Sequence, residues 1–364
     1  MRSSLTAICA LAALGGLLPA AAAAQVARVD EGRLPGLFEQ LGHESPATLR
    51  ALVGVIDVGT QAGQETQEAQ ETQETQEAPR AEWYDWRGTS RSRDDWWPAS
   101  SIKLYAAVAA LERSREMGFI PAAMLTYRYE SEDEDEYQGR LSQIVRHAIV
   151  ASNNLAFDRL VEFVGMDYLN RRFFTEENGL ENTVFLRAYG GRNRNPENGH
   201  AVNRHSPPIT IERGRRVREL PARDGRGQYE CPDQGNCTTL RELAGAMYRV
   251  MLHEHLPDEG RFALGERELA LLRSTLEAPR REHGELLVQA VRRGFGDDVP
   301  VRVFHKPGYA YRWTSDVMFV HRTDTDERFI IVVAGHPGRR VIDETLTRIA
   351  ALLAAGRLPG PSAD

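Results

Sequence analysis

One stretch decides how this chain is expected to fold: residues 97–111, WPASSIKLYAAVAAL, where a serine pair meets a run of strong helix formers. Proline is favoured where a helix begins, so Pro98 predicts a helix that starts near the serines. Ser100 and Lys103 are three residues apart and would lie on one face of its first turn. A lysine held neutral by its surroundings can take the proton of a neighbouring serine, so the pair predicts a nucleophile with its base. The alternative is a capping serine beside a surface lysine.

Length and charge restrict the classes of protein to which the chain can belong. Its 364 residues, 41% of them hydrophobic, are enough for a full core and for two lobes within one catalytic unit. The net charge of -7 argues against nucleic acid as the main partner. We expect a monomer that acts on a small molecule or a peptide.

The first 24 residues have the pattern of a secretory signal peptide. Arg2 precedes an apolar run over 5–18, and Pro19 and three alanines at 22–24 follow it. The apolar run is short for a bilayer span. We therefore expect cleavage of the signal, no stable membrane anchor afterwards, and a secreted or periplasmic location. An uncleaved anchor is the alternative.

Export determines how the cysteines are interpreted. Signal cleavage would remove Cys9 and leave Cys231 and Cys237. An even pair in an oxidising compartment predicts a disulfide, and closing this short loop would contribute roughly 2 kcal/mol. The two thiols lack partners at the spacing of a zinc site, so we expect no metal there.

The part of the chain before the serines predicts one helix and two strands. Apolar residues recur at helical spacing over 34–41, and β-rich runs occupy 51–59 and 82–88. Between these runs, residues 61–80 contain a Gln-Glu-Thr repeat without an apolar face. This composition predicts a disordered insertion, and a short solvated helix is the alternative.

Two later segments are predicted to be loops. The acidic run 130–136 lacks the spacing of an EF-hand, which favours a solvated loop over a cation site. Residues 192–228 are rich in Arg, Asn, Gly and Pro, which predicts a long loop near the site. Its arginines could bind a polyanion, and plain solvation is the alternative. Its histidines, His200 and His205, lack the spacing of a metal site.

Two further polar motifs follow the serine stretch. An apolar helical period over 141–149 ends shortly before the polar triplet 152–154, Ser-Asn-Asn. This triplet is the second motif of the chain, and a β-rich run that begins at Val301 carries the third, His-Lys-Pro-Gly over 305–308. Taken alone, the triplet is typical of a helix C-terminal turn, and the lysine of an exposed strand.

Together the three motifs resemble S-x-x-K, S-x-N and K-T-G of the class A β-lactamases and penicillin-binding proteins, in order and in context. Two other stretches support the resemblance. The threonine pair at 238–239 is similar to the pair that opens a helix in this family, and 327–334 resembles the late strand that carries a carboxylate-binding arginine. The resemblance covers most of residues 34–356.

The resemblance implies an α+β fold in one catalytic domain, 25–364. An antiparallel sheet flanked by terminal helices would form one lobe, over about 34–96 and 298–356, and helices over about 97–297 the other. The active site would lie at their junction. Near the C-terminus we expect a strand over 315–320, a polar turn over 323–326 and a second strand over 329–334. A closing helix over 341–353 would follow.

The resemblance also implies roles for single residues. Ser100 would be the nucleophile and Lys103 its base or proton relay. Ser152 would pass a proton to the leaving nitrogen, and Asn154 would bind the amide side chain of the substrate. Lys306 would hold both Ser152 and the substrate carboxylate in a positive field.

Three more residues receive roles in the same way. The oxyanion hole would consist of the backbone N–H groups of Ser100 and Tyr309, beside Gly308 of the third motif. Arg328 would be a second anchor for the carboxylate, with a plain surface arginine as the alternative. No metal or organic cofactor is implied.

The sequence departs from the family pattern at two places. Pro307 stands where the family usually has a hydroxyl residue, so one hydrogen bond to the substrate carboxylate would be missing. Since proline is tolerated in strands chiefly at an edge, we expect an edge strand here. The glutamate that directs water at the acyl-enzyme of class A enzymes has no counterpart over 182–191, because Glu181 and Glu197 lie outside that stretch. We therefore expect slow hydrolysis of the acyl-enzyme.

The sequence thus predicts an exported serine hydrolase that forms an acyl-enzyme with a β-lactam or a D-Ala-type amide. A D-alanyl-D-alanine carboxypeptidase acting on peptidoglycan peptides is the second candidate. A catalytically decayed module that binds cell-wall peptides is the third, from a different class.

Overall fold

The structure is a computed structural model, and it describes residues 29–42, 47–59, 78–131, 134–190, 201–278 and 283–361. The predicted signal peptide, residues 61–77 of the first predicted insertion and residues 192–200 of the second, with His200, lie outside the described residues. Within these described ranges, no helix has both the length and the apolar character needed to cross a membrane.

The elements follow one another in three groups. Up to the end of the serine helix they are β1 (Val29–Asp30), α1 (Arg33–Gln40), β2 (Arg50–Asp57), β3 (Arg80–Asp85) and α2 (Lys103–Glu116). Next come β4 (Met124–Ser131), β5 (Glu134–Arg140), α3 (Leu141–Ile149), α4 (Asn154–Val164), α5 (Met166–Tyr168), β6 (Val184–Phe185), β7 (His205–Ser206), β8 (Ile209–Arg213), β9 (Arg216–Leu220) and β10 (Arg223–Asp224). The last group is β11 (Asn236–Cys237), α6 (Leu240–Met251), α7 (Glu266–Glu277), α8 (His283–Phe295), β12 (Val301–Ala310), β13 (Trp313–Arg322), β14 (Glu327–Gly335) and α9 (Arg339–Ala354).

The main sheet has six strands in the order β1-β3-β2-β14-β13-β12. All neighbours are antiparallel except β1 and β3. Along β14, Ile331 and Val333 pack into one apolar cluster with α1, α8 and α9, and Ile330 and Val332 into another with α2 and α6. Both faces of the sheet are therefore covered, which explains why its central strands are almost continuously apolar. β12 is an edge strand, as predicted from its proline.

Helices α8 and α9 pack closely on one face of this sheet. A Cβ atom at Gly294 would lie 2.3 Å from the carbonyl oxygen of Thr347 and 2.5 Å from Cβ of Ala350. Only glycine permits this approach. α8 falls within the stretch expected to join the helical lobe, yet it packs with α9 beside the sheet.

A second sheet corrects both loop predictions. Its four strands have the order β5-β4-β8-β9. The acidic run holds the last residues of β4 and the first residues of β5, and the Arg-rich segment holds β8 and β9. Ile209 and Ile211 are fully buried and occupy alternate positions of β8, which is the strand signal that the charged composition obscured. Ile211 pairs with Leu125 of β4, and Gly214, at φ +59°, turns the chain into β9.

The other element predictions agree with the structure. The expected helices over 34–41 and 141–149 correspond to α1 and α3, and the two N-terminal runs to β2 and β3. β13, β14 and α9 are the expected C-terminal strands and closing helix. Cys231 and Cys237 form the predicted disulfide. Thr239 caps α6, since its side chain accepts a hydrogen bond from the backbone N–H of Glu242.

Candidate active site

Ser100 lies in a 3₁₀ turn, Ala99–Ile102, that leads directly into α2. Side chains three residues apart eclipse in such a turn, so Ser100 and Lys103 are neighbours. Ala99 has φ +50°, and the hydroxyl of Tyr189 donates a 3.0 Å hydrogen bond to its carbonyl oxygen. Ser101 is fully buried and donates to the carbonyl of Pro98 at 2.7 Å, whereas Ser100 is partly exposed. Of the serine pair, Ser100 is therefore the one available for chemistry.

Lys103 is fully buried and its amine faces the second motif. Its Nζ donates to the carbonyl oxygen of Ser152 at 2.6 Å and to Oδ1 of Asn154 at 2.7 Å. Burial lowers the pKa of Lys103 to about 7, and the charge of Asp158 opposes this shift only in part. A neutral amine has two N–H donors and one lone pair. These two acceptors use both donors, and the lone pair remains to accept a proton.

Lys306 approaches the same motif from β12. It is also fully buried, and its Nζ donates to Oγ of Ser152 at 2.9 Å and to its neighbouring carbonyl, that of Pro307, at 2.8 Å. Nζ of Lys103 lies 3.5 Å from the same hydroxyl. Ser152 has φ +51°, a strained conformation that places its hydroxyl between two amines.

These two residues are the only lysines in the whole 364-residue chain. Every other basic residue apart from histidine is an arginine. Arginine stays charged at any physiological pH, whereas burial readily shifts the pKa of a lysine. Both lysines of the chain therefore lie at this site, where their amines face Ser152.

The third motif passes directly beside the nucleophile. A Cβ atom at Gly308 would lie 2.5 Å from the carbonyl oxygen of Pro98 and 2.9 Å from the backbone N of Ser100. Glycine is therefore required for β12 to come this close. Tyr309 follows on the strand, and 55% of its side chain is exposed at the mouth of the site.

Two adjoining cavities meet at Ser100. The main cavity has a volume of about 670 Å³ and is lined by Ser152, Lys306 and Pro307, with Arg339 at the start of α9. The smaller cavity has a volume of about 260 Å³, and the residues that line it include Trp97 and Tyr189. Three residues line both cavities: Ser100, Asn154 and Tyr309.

Comparison with known proteins identifies the family of the chain. A family model described as the Beta-lactamase enzyme family matches residues 89–355, well over half of the chain. The chain belongs to this family. The fold and the resemblance expected from the three motifs are thereby confirmed. Among proteins with curated functions, none matches the chain.

Solved structures of PBP-A and of a class A β-lactamase share the fold at low sequence identity. The structure of PBP-A is 16% identical, with a TM-score of 0.55, over 90% of this chain and 97% of that one. A PBP-A variant captured as an acyl-enzyme complex with penicillin G is 17% identical, with a TM-score of 0.54, over 90% and 97%. A class A β-lactamase from Bacteroides cellulosilyticus DSM 14838 is 13% identical, with a TM-score of 0.51, over 91% and 96%. At these identities the likeness describes the fold alone.

Arg328 does not reach the site, and this corrects the expected carboxylate anchor. On β13, Ser315 pairs with Gly308 beside the nucleophile, and its partner on β14 is Ala334. Arg328 lies six residues before Ala334, roughly 20 Å away along the strand. Its guanidinium instead donates to Asp326 at 3.0 Å. Arg339 is the arginine that lines the main cavity, and the sequence carried no signal for it beyond its position before an amphipathic helix.

The stretch in which the sequence shows no counterpart of the family glutamate is held by buried polar groups. Asp158 is fully buried, and its carboxylate accepts hydrogen bonds from the backbone N–H groups of Tyr189 and Gly190 at 2.8 and 2.6 Å. The side chain of Asn236, 1% exposed, accepts from the N–H groups of residues 186 and 187 and donates to the carbonyl of 187. We call residues 186–190 the anchored loop.

The anchored loop brings no carboxylate to the nucleophile. Among the residues that the structure describes, neither cavity at Ser100 is lined by an aspartate or a glutamate. Glu181 is exposed, and Glu197 lies outside the described residues. In the same described ranges, no group of three His, Cys, Asp or Glu side chains could hold a metal ion. His205 instead lies 2.9 Å from the carboxylate of Asp224.

Proposed function

We propose that this protein is an exported serine hydrolase that forms an acyl-enzyme on Ser100 with a β-lactam or a D-Ala-type amide. The single observation that carries the proposal is Lys103, a buried amine with a pKa of about 7, one turn from a partly exposed serine. Its two N–H donors are engaged, so its lone pair is the group that can act as base.

Acylation follows from this arrangement. Neutral Lys103 removes the hydroxyl proton of Ser100, and Oγ attacks the carbonyl carbon of the amide. The oxygen that becomes negative accepts hydrogen bonds from the backbone N–H groups of Ser100 and Tyr309. The C–N bond then breaks, and the leaving nitrogen takes a proton from Ser152. Lys103 returns the proton to Ser152, so the protons balance at the end of the step.

The main cavity favours a substrate with a carboxylate. Lys306 and Arg339 both line it, and no acidic side chain among the described residues does so. β-Lactams and peptides ending in D-alanine both carry a carboxylate near the reacting amide. The cavity therefore supports either substrate class, and the carboxypeptidase remains the second candidate.

Hydrolysis of the acyl-enzyme is the weaker half of the cycle. The anchored loop presents no carboxylate that could activate water, and the carboxylate of Asp158, on α4, accepts hydrogen bonds from two backbone N–H groups of the loop. We therefore propose that the acyl-enzyme forms readily and is released slowly. This behaviour suits a penicillin-binding enzyme better than a fast antibiotic-degrading one.

The location of the protein belongs to the same proposal. The disulfide between Cys231 and Cys237 suits an oxidising compartment, and the first 24 residues have the pattern of a signal peptide. We propose that the mature protein acts in the periplasm or outside the cell.

Mass spectrometry of the intact protein with benzylpenicillin tests the proposal. Wild type should gain the mass of one penicillin, Ser100→Ala should gain none, and Ser101→Ala should still be labelled. The adduct should persist for minutes or longer. Labelling of Ser100→Ala to the same extent as wild type would overturn the assignment of the nucleophile. Absence of any adduct and of any hydrolysis, with D-alanyl peptides as well as penicillin, would favour the non-catalytic binding module.

A further inference from the structure

A groove at the start of α9, beside α8 and the end of β12, is continuous with the main cavity. We propose that this groove binds a second anionic group on the leaving side of the substrate, beyond the carboxylate that Lys306 holds. The inference rests on the proposed function and deepens it, because it selects amides whose leaving amine belongs to a residue or peptide with a further acidic group. We call it the arginine groove, and its described lining is Leu286, Arg293, Tyr309, Arg339, Arg340 and Asp343.

The main cavity reaches this groove by passing around the edge strand β12. Neighbouring side chains of a strand point to opposite faces, so Lys306 and Pro307 lie on different faces of the main sheet. Val303 lies on the same face as Pro307 and packs with α8 and α9. Because both Lys306 and Pro307 line the main cavity, the cavity extends from the nucleophile to the face that α8 and α9 cover. Tyr309 and Arg339 line both the cavity and the groove.

The position of the substrate carboxylate gives the groove its side. In β-lactams and in peptides ending in D-alanine, this carboxylate is attached next to the leaving nitrogen. The main cavity takes it, so an extension of the leaving group is what reaches the arginine groove. The cavity and the groove have volumes of about 670 and 770 Å³. Each is large enough for a drug-sized ligand, so a leaving group longer than one D-alanine fits.

The first carboxylate has a donor other than Arg339. Thr314 of β13 lines the main cavity, is 3% exposed, and its hydroxyl has no hydrogen-bond partner in the described part of the chain. Thr314 pairs with Tyr309 and therefore lies on the same face as Pro307. Lys306 and the hydroxyl of Thr314 can together bind the first carboxylate, so Arg339 is available for a second anion.

Arg339 is the charged group at the point where the two spaces meet. It is partly exposed, and its guanidinium forms no hydrogen bond or ion pair with any residue that the structure describes. By contrast, Arg293 donates to Asp343 at 2.8 Å and Arg340 to Glu344 at 3.0 Å. Guanidinium groups bind oxyanions through two parallel N–H donors. Arg339 can therefore bind an oxyanion without first breaking an ion pair.

The local charge of the groove is opposite to that of the whole protein. The chain has a net charge of -7, whereas the described lining of the groove carries three guanidinium groups and one carboxylate. Arg339 and Arg340 are also the first two residues of α9, where the positive end of the helix dipole adds to their charge. The groove therefore attracts an anion that most of the protein surface would repel.

Two cephalosporins that differ by one anion test the arginine groove. Cefamandole and cefonicid share the nucleus, the carboxylate and the acyl side chain, but the leaving-side substituent ends in a methyl group in cefamandole and in a methylsulfonate in cefonicid. We expect wild type to be acylated faster by cefonicid at low concentration. In Arg339→Gln the ratio of the two acylation rate constants should fall by roughly tenfold, the effect of losing a charged hydrogen-bonding partner. In Arg340→Gln it should fall by only about twofold, because this side chain is exposed and already paired.

A matched variant and added salt separate the groove from general effects of charge. Arg348→Gln removes the same charge from α9 two turns further along, and Arg348 lines neither the cavity nor the groove. Its ratio should equal that of wild type. At about 1 M salt, where the Debye length is about 3 Å, the wild-type ratio should approach that of Arg339→Gln.

Binding to Ser100→Ala measures the groove without the chemistry. In titration calorimetry this variant should bind cefonicid about tenfold more tightly than cefamandole. Equal affinities, or an unchanged ratio of rate constants in Arg339→Gln, would overturn the arginine groove and leave the proposed function standing. An equal fall in both rate constants in Arg339→Gln would also overturn it, because Arg339 would then bind the shared carboxylate. If wild type were acylated by no β-lactam, the proposed function would fail, and the preference of Ser100→Ala would still decide the groove.

Discussion

The two sides of Ser100 use their polar groups in opposite ways. On one side, the amines of Lys103 and Lys306 converge on the hydroxyl of Ser152, at 3.5 and 2.9 Å, and Ser152 lines the main cavity. On the other side, the polar groups of Asp158 and Asn236 bind the backbone of the anchored loop. The first arrangement can move protons, whereas the second only fixes a loop. Under the proposed function, this fold would be equipped to form an acyl-enzyme without being equipped to release it.

Removal of the base should have the largest effect. In Lys103→Met the side chain keeps an apolar stem but loses its lone pair and both hydrogen bonds. General-base catalysis contributes roughly 10²–10⁴-fold, so the acylation rate constant should fall by about that factor. Timed intact-mass spectra with benzylpenicillin give this rate constant directly.

Lys306→Met is the matched control for this experiment. Lys306 faces the same hydroxyl but is assigned to holding the carboxylate, so its loss should mainly raise the concentration at which acylation saturates. If Lys103→Met retained more than about a tenth of the wild-type rate constant, Lys103 would not be the base.

Lowering the pH should slow acylation, because Lys103 becomes protonated. The free base of Lys103 is the reactive form, and its pKa is about 7. Below that pH each unit removes about nine-tenths of the reactive form, so acylation at pH 5 should be roughly a hundredfold slower than at pH 8. Above the pKa the rate should level off.

The scarcity of lysine makes this pKa measurable at the side chain itself. With only two lysines in the chain, a protein labelled with carbon-13 at the lysine side chains should give two NMR signals to follow. One of them should titrate near pH 7 and be absent from the Lys103→Met spectrum. A titration of that signal only above about pH 9 would contradict the neutral-base mechanism.

Adding a carboxylate to the anchored loop should reduce the difference between the two sides of Ser100. Ala188 lies in the anchored loop, is 5% exposed and lines the smaller cavity next to Ser100. A glutamate at this position would place a carboxylate beside the acyl-enzyme, where it could activate water. In Ala188→Glu the penicillin adduct should therefore clear about tenfold faster, less than a fully positioned base would give.

Ala188→Gln controls for size and hydrogen bonding without adding a base. Its adduct should persist as long as that of wild type. Equal acceleration in the glutamine and glutamate variants would mean that the loop had simply loosened. An unchanged adduct lifetime in the glutamate variant would show that more than a missing carboxylate limits release.

The local parts of this site could be predicted from the sequence, and the long-range parts could not. Three-residue spacing places Ser100 beside Lys103 whatever the rest of the fold does. Proline within a strand similarly predicts an edge strand, and β12 lies at the edge of the main sheet. The prediction that Arg328 anchors the substrate carboxylate was wrong for a different reason. Its strand was predicted, but the end of β14 that reaches the site depends on pairing with β13.

Residues that meet through packing escaped prediction altogether. Arg187 and Arg339 come to the site from a loop and from a late helix start, and nothing in their own neighbourhoods in the sequence marks them. For the Arg-rich segment, the prediction of a loop was wrong because the segment contains two strands, β8 and β9. Its charges resembled those of a loop, whereas the alternation of Ile209 and Ile211 gave it a place beside β4. The lysine count was a usable signal, because both lysines of the chain lie at the site.

The smallest expected effect concerns the missing hydrogen-bond donor at Pro307, beside Lys306. Pro307 lines the main cavity and follows Lys306 on the edge strand, but it offers the substrate neither a hydroxyl nor an N–H donor. In Pro307→Thr a hydroxyl at this position would donate to the substrate carboxylate. One such bond contributes about 1 kcal/mol, so acylation at low penicillin concentration should become about fivefold faster. Pro307→Val has a similar shape without the hydroxyl and should show no gain. A gain shared by the valine variant would instead assign the effect to the backbone N–H that both substitutions restore.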